Sequence, residues 1–156
     1  MTNLKTLGLA TMLCTLSACS AVTTLSTTQA GGSVRIAGDA DRSAPRQVTR
    51  ATRSFGYDEF KAEAPGQEPL YGVLPLKFNG GYLASSILFF TPAMFYSLRE
   101  VYPEYEFDIA GRQVRYRKGP DAPWQTYTPD EEDRETARKF FEGAESVAPF
   151  VPVAKP

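Results

Sequence analysis

Tyr105-Glu106-Phe107-Asp108-Ile109-Ala110-Gly111-Arg112-Gln113-Val114-Arg115-Tyr116-Arg117 is the stretch that decides the fold. Apolar and charged residues alternate over 105–109 and again over 114–117, the period of a strand with one buried face. Ala110-Gly111-Arg112 turns between them. The whole reads as an antiparallel hairpin with Tyr105, Phe107 and Ile109 on one face. On its C-terminal side, Gly119-Pro120 and Ala122-Pro123 end the pattern, and Trp124 is the lone tryptophan. Thr128-Pro129-Asp130-Glu131 then predicts a helix start. Thr128 serves as cap, Pro129 fits the first helical position, and Glu131 stands three residues after the cap. The predicted helix covers 129–143, with Ala137, Phe140, Phe141 and Ala144 on its apolar side. Residues 148–156 form a Pro-rich, extended tail.

On the N-terminal side of the hairpin, Ser33-Val34-Arg35-Ile36-Ala37 alternates and predicts a strand before the Gly38-Asp39 turn. Val48, Arg50 and Thr52 predict a second strand over 47–54, and Phe55 to Glu63 continues as strand. Pro65-Gly66 turns the chain, and Gly72 to Phe78 is a short apolar run. The predicted class is α+β: a small antiparallel sheet, an apolar helical or hairpin segment, and a C-terminal helix. One such domain spans 33–147, in keeping with a chain of 156 residues that is 42% hydrophobic and 22% charged.

Composition excludes several kinds of function. There is no histidine, hence no His-based triad, His–metal cage or imidazole switch. The formal net charge of −1 offers no global basic field, and no nucleic-acid partner is expected.

Residues 1–18 carry one charge, Lys5, followed by an apolar-rich run over 7–16 that is too short to span a bilayer. That is the arrangement of a secretory signal. It ends in Leu16-Ser17-Ala18-Cys19, which resembles the lipobox of bacterial lipoproteins. The resemblance implies a diacylglyceryl thioether on Cys19 and cleavage before it. It also implies acylation of the new amine. The thioether step requires a thiolate, which a cysteine alone provides. Ser20 in place of an aspartate implies export to the outer membrane. Three acyl chains of roughly 15 buried methylenes, at about 0.8 kcal/mol each, give on the order of 30 kcal/mol of anchoring. The only other cysteine, Cys14, leaves with the signal, so the mature chain has no disulfide, thiolate metal site or redox chemistry. Residues 19–32, Ser/Thr/Ala/Gly-rich after the lipidated Cys19, read as a flexible tether.

Val34-Arg35-Ile36-Ala37-Gly38, Ser43-Ala44-Pro45, and Tyr57 to Ala64 followed by Pro65-Gly66 resemble the strand, Pro step and closing strand of PEGA-type modules. The resemblance covers 33–69. It implies a β-rich unit with an accessory or structural role in the envelope. An acidic-Gly-Ala segment typical of that family is absent, and Gln67 replaces an aromatic after Gly66.

The 21 residues 78–98 carry no charge. Three readings compete: a spanning helix, an interfacial element, and buried core. Pro92 and the polar Asn79, Ser85, Ser86, Thr91 and Ser97 oppose the first. Phe89, Phe90, Phe95 and Tyr96 suit a headgroup boundary, and the segment over 82–98 would then insert in a bilayer. As core, the segment supplies a small domain with much of its apolar mass.

Candidate chemistry is sparse. Asp130-Glu131-Glu132-Asp133 matches acids at a helix N-terminus, and it lacks the central glycine of a Ca²⁺ loop. Asp58-Glu59 and Glu104/Glu106/Asp108 are the places to seek a paired-carboxylate hydrolase. Ser85-Ser86 has no nucleophile elbow around it. Arg112, Arg115, Arg117 and Lys118 form a basic stripe. It suits anionic headgroups or a partner protein, or a charged face that blunts an edge strand. Tyr102, Tyr105, Tyr116, Trp124 and Tyr127 suit an aromatic platform or a core. The expectation is a non-enzymatic, lipid-anchored envelope component without cofactor or metal. Its partners are the bilayer, through Cys19, and an envelope protein.

Overall fold

The computed structural model describes residues 20–39, 42–80, 83–84, 88 and 98–146. The signal, Cys19, most of 78–98 and the tail 148–156 lie outside the described residues.

The hairpin forms as the alternation predicts. β8 (Glu104–Asp108) pairs antiparallel with β9 (Gln113–Arg117), and Tyr105, Phe107 and Ile109 are all buried. At the turn, the Gly111 N–H donates to Asp108 Oδ1 at 3.0 Å, and a Cβ on Gly111 would fall 2.3 Å from Asp108 Oδ2. That N–H, with Gln29 and Gln113 donating beside it, holds the Asp108 carboxyl below the usual carboxylate range.

β1 (Ser20–Thr27) lies against the other edge of β8, parallel to it, in the register Thr24↔Glu104 to Thr27↔Phe107. Its far edge pairs antiparallel with β3 (Arg46–Ala51), from Ser20↔Ala51 to Leu25↔Arg46. With β10 (Gln125–Tyr127) on β9, the larger sheet has the order β10-β9-β8-β1-β3. The flexible tether expected over 20–32, and with it the domain start at 33, is therefore corrected. Residues 20–27 are an interior strand with Thr23 and Leu25 buried. Val22 and the threonines at 23, 24 and 27 are β-branched, which suits a pleated surface better than a solvated linker. Gln29 then clamps the turn after β8, donating to Asp108 and accepting from the Ile109 N–H, both at 3.0 Å. Gly31-Gly32 is a fixed corner. Gly31 has φ +71°, and a Cβ on Gly32 would meet Thr27 Oγ1 at 2.5 Å.

The smaller sheet has the order β2-β4-β5, from β2 (Ser33–Ile36), β4 (Glu59–Glu63) and β5 (Leu70–Val73). Val34, Ile36, Phe60, Ala62 and Leu70 face Leu25, Tyr105, Phe107 and Val114 of the larger sheet across one core. Phe60 and Phe107 meet edge to face with centroids 4.9 Å apart. The three strands predicted within 33–69 thus exist, but β3 belongs to the larger sheet and β2 and β4 to the smaller. β6 (Leu76–Phe78) and β7 (Arg99–Val101) form a separate short ladder.

α1 (Glu131–Ser146) covers the outer face of the smaller sheet. Arg35 lies over the Phe141 ring at 4.6 Å, and Tyr71 packs beside that ring. Ala137 and Phe141 are buried as expected, but Phe140 is 42% exposed and Ala144 is exposed. The apolar stripe is narrower than predicted, and the surface beside Phe141 includes charged Arg35 and the amphipathic Tyr71. The cap is also displaced from Thr128 to Asp130. The Asp130 carboxylate accepts from the Asp133 N–H at 2.9 Å, and the first helical bond runs from the Arg134 N–H to the Asp130 carbonyl. Pro129 stands before the helix, fully buried, where a Cβ on Gly72 would lie 2.7 Å from its ring. Asp130→Ala is expected to cost about 1 kcal/mol. Thr128→Ala should leave the urea midpoint unchanged, which separates the two assignments.

Candidate functional site

β1 and β3 end together at Ser20 and Ala51, and three other segments converge just past them. Two residues beyond Ala51, Arg53 forms a reciprocal backbone pair with Arg99, at 2.9 and 2.8 Å. Arg99 in turn is the ladder partner of Phe78. The Asn79 N–H donates to the Leu98 carbonyl at 2.7 Å, so the uncharged segment leaves and returns at this same end. Of that segment, Gly80, Leu83, Ala84 and Leu88 are helical. No helix among the described residues is long and apolar enough to cross a membrane. Phe89, Phe90, Phe95 and Tyr96 lie outside the described residues.

The loop 53–58 is where strand was predicted to continue into β4. It is instead built around a buried carboxylate. Asp58 is 1% exposed and receives both Arg50 and Arg53, the latter at 3.1 Å. Arg53 also donates to the Tyr57 carbonyl at 2.8 Å, and Arg99 to the Gly56 carbonyl at 3.0 Å. The Ser54 hydroxyl accepts from the Leu98 N–H at 3.0 Å. Gly56, at φ +84°, makes the reversal. A frame tied this tightly leaves Phe55 78% and Tyr57 57% exposed, and Phe78, the ladder partner of Arg99, is 59% exposed. Scattered apolar residues on a surface are ordinary; three exposed aromatics at one end, two of them on a pinned loop, make this end the candidate contact surface.

Beside the loop opens a cleft of roughly 240 Å³ whose lining includes Tyr57, Leu74, Arg99, Tyr127 and Asp133. The Tyr127 hydroxyl donates to the Asp133 carboxylate. Burial first, and then that carboxylate, hold the phenol pKa well above its ordinary value. A protonated phenol bound to a carboxylate ties β10 to the first turn of α1.

The predicted basic stripe forms only in part. Arg115 and Arg117 share the outer face of the larger sheet, as alternation requires. There Arg115 bonds Glu106 at 2.7 Å and Arg117 bonds Glu104. Both guanidiniums also lie over Trp124, at 5.1 and 4.7 Å. Arg112, at the hairpin turn with φ +56°, donates to the Pro69 carbonyl. Lys118 is exposed beyond β9. The predicted headgroup stripe is thus largely a cross-strand charge ladder. The aromatic group divides likewise. Tyr102 and Tyr105 are buried, with Tyr102 4.5 Å from Tyr116 between centroids. The Tyr105 hydroxyl donates to the Pro75 carbonyl and accepts from the Tyr102 N–H, and burial raises its pKa strongly. Among the described residues, no group of three or more carboxylate, Cys or His side chains could hold a metal.

No family model, no curated protein and no solved structure matches this chain.

The pinned aromatic loop was not found in the sequence. Phe55-Gly56-Tyr57 was legible as aromatics around a glycine. What was missing was Asp58, the residue immediately before β4, as the acceptor for two arginines from β3 and its extension.

Proposed function

We propose that this chain is a non-enzymatic, lipid-anchored component of the cell envelope. It is held through acylated Cys19 at the periplasmic face of the outer membrane, where it supports or binds an envelope protein. The observation that carries this reading is Leu16-Ser17-Ala18-Cys19 at the end of a short apolar run, directly before the first strand of the domain. Cleavage between Ala18 and Cys19 would leave the lipidated cysteine immediately before Ser20, the first residue of a paired interior strand. The carboxylates in which a hydrolytic pair was sought support a structural role. Glu104 and Glu106 are bonded to arginines, Asp108 closes a turn, and Asp58 pins a loop.

The test is fractionation of wild type and Cys19→Ala, with mass spectrometry of the mature N-terminus. Wild type is expected in the outer membrane with an acylated Cys19, and the variant as soluble periplasmic protein. An unmodified mature N-terminus in wild type overturns the reading. So does a variant that loses its signal yet resists extraction with alkaline carbonate.

A further inference from the structure

We infer that the domain stands end-on upon the bilayer, with Phe55, Tyr57 and Phe78 seated among the phospholipid headgroups as a second contact beside the acyl chains. This placement rests on the anchor at Cys19.

The argument is one of length. A residue spans at most about 3.5 Å of extended chain. Ser20 already belongs to β1, paired with Ala51 on one side of the strand. A diacylglyceryl group on the preceding residue therefore brings the lipid to within about one residue length of the sheet, about 3.5 Å. No linker exists to lift the domain away.

Direction follows from register. β3 runs antiparallel to β1, so the chain after Ala51 continues toward the side from which Cys19 enters. Arg53 lies two residues past Ala51, and Phe55 two residues past Arg53. Phe78 reaches the same level through its pairing with Arg99 and that residue's bridge to Arg53. The exposed aromatics thus project beyond Ser20 toward the lipid. Aromatic side chains favour the headgroup boundary, where the ring meets apolar matter and a tyrosine hydroxyl stays wet. The guanidiniums of Arg50 and Arg53 gather behind them on the buried carboxylate of Asp58, and that of Arg99 bonds the Gly56 carbonyl of the same loop. Positive charge at this depth suits anionic phospholipid. The loop cannot fold its aromatics away, because Arg53, Arg99 and Asp58 fix its backbone.

The wild-type chain supplies an internal reference. Trp124 stacks on Arg117, which is level with Glu104 and hence with Thr24 of β1. Four residues separate Thr24 from Ser20, or roughly 13 Å along the strand. Trp124 should therefore stand clear of the lipid.

The full-length lipoprotein is reconstituted in vesicles of phosphatidylethanolamine and phosphatidylglycerol, with or without bromine on the acyl chains. It is examined as wild type and as Phe55→Trp in a Trp124→Phe background. The indole at position 55 is expected to emit at shorter wavelength in vesicles and to lose most of its intensity with brominated lipid. Trp124 of the wild type should lose little. Suppose the mass confirms acylated Cys19 and the indole at 55 keeps its aqueous emission. Then the end-on placement is overturned while the anchor stands. A blue shift without bromine quenching also overturns it, since protein rather than lipid would then cover this end. An unacylated Cys19 overturns anchor and placement together. Coincident thermal transitions of the variant and wild type exclude misfolding as the source of any shift.

Discussion

Asp58→Ala is expected to destabilise the domain by about 3–5 kcal/mol, the cost of removing one partner from a buried ion pair. The carboxylate is almost wholly buried, and two guanidiniums converge on it. Its removal leaves Arg50, itself only 13% exposed, with positive charge and no counterion in a low-dielectric site. The loss extends past one pair. Arg50 also donates to the Ala37 carbonyl at 3.0 Å, so the same side chain joins β3 of the larger sheet to the end of β2 in the smaller. Arg46 does likewise two repeats of the pleat earlier, bonding Asp39 at 2.8 Å and the Val34 carbonyl at 3.3 Å. Both arginines point inward from β3 on either side of Val48, and the two sheets are stitched along this edge by guanidiniums as well as by that apolar contact. Asp58→Asn, nearly isosteric, separates charge from shape. It should recover part of the packing and remain well below wild type. The measurement is the urea midpoint with the slope held constant, since a change in slope would report altered compactness instead. A loss below about 1 kcal/mol, the scale of an exposed pair, would show that the pair contributes no more than surface charges do. The aromatics at 55 and 57 should become protease-accessible in the same variant, because Arg53 loses the anchor that orients the loop.

The parts of this architecture that were legible in the sequence are those whose partners lie close by in the chain. The 104–117 hairpin is local. Its alternation, its turn and its inward face can be read from thirteen residues, and all three are present. The helix is local as well, and it was misplaced only at its ends. There the long-range packing of Pro129 against Gly72 took the proline out of the helix and moved the cap to Asp130. What stayed hidden depends on distant pairing. β1 finds β8 about eighty residues away and in parallel, an arrangement that leaves no turn signal between the partners. β3 alternates as predicted, but composition alone gives no reason to expect that its arginines face inward. That orientation requires Asp58, Asp39 and the carbonyls of a second sheet to receive them. The basic stripe failed for a related reason. Arg115 and Arg117 share a face as their spacing demands, yet so do Glu104 and Glu106 directly opposite them, and the ladder neutralises itself.

Leu25→Ala is expected to cost about 2–5 kcal/mol, as for other fully buried leucines cut back to alanine. The consequence is larger than one side chain, since it decides whether residues 20–27 are scaffold or linker. Leu25 is 0% exposed and belongs to the cluster containing Phe60, Tyr105 and Phe107. In a tether, by contrast, the same substitution changes neither midpoint nor slope. Val22→Ala is the control within the strand. Val22 is 56% exposed on the outer face and should change stability by a few tenths of a kcal/mol, the scale of strand propensity alone. Urea unfolding of the Cys19→Ala protein, free of lipid, reads both effects without interference from the bilayer. The pattern sought is a large loss at 25 beside a small one at 22, since residues of a strand alternate between core and solvent while those of a linker do not. Equal, negligible effects at both positions would return β1 to a tether. They would also remove the ground for the proposed end-on placement, because the chain from Cys19 to the first fixed residue would then be long enough to hold Phe55 and Phe78 clear of any headgroups. Stability at Leu25 and the proposed lipid contact at Phe55 thus depend on the same feature, a strand that includes Ser20.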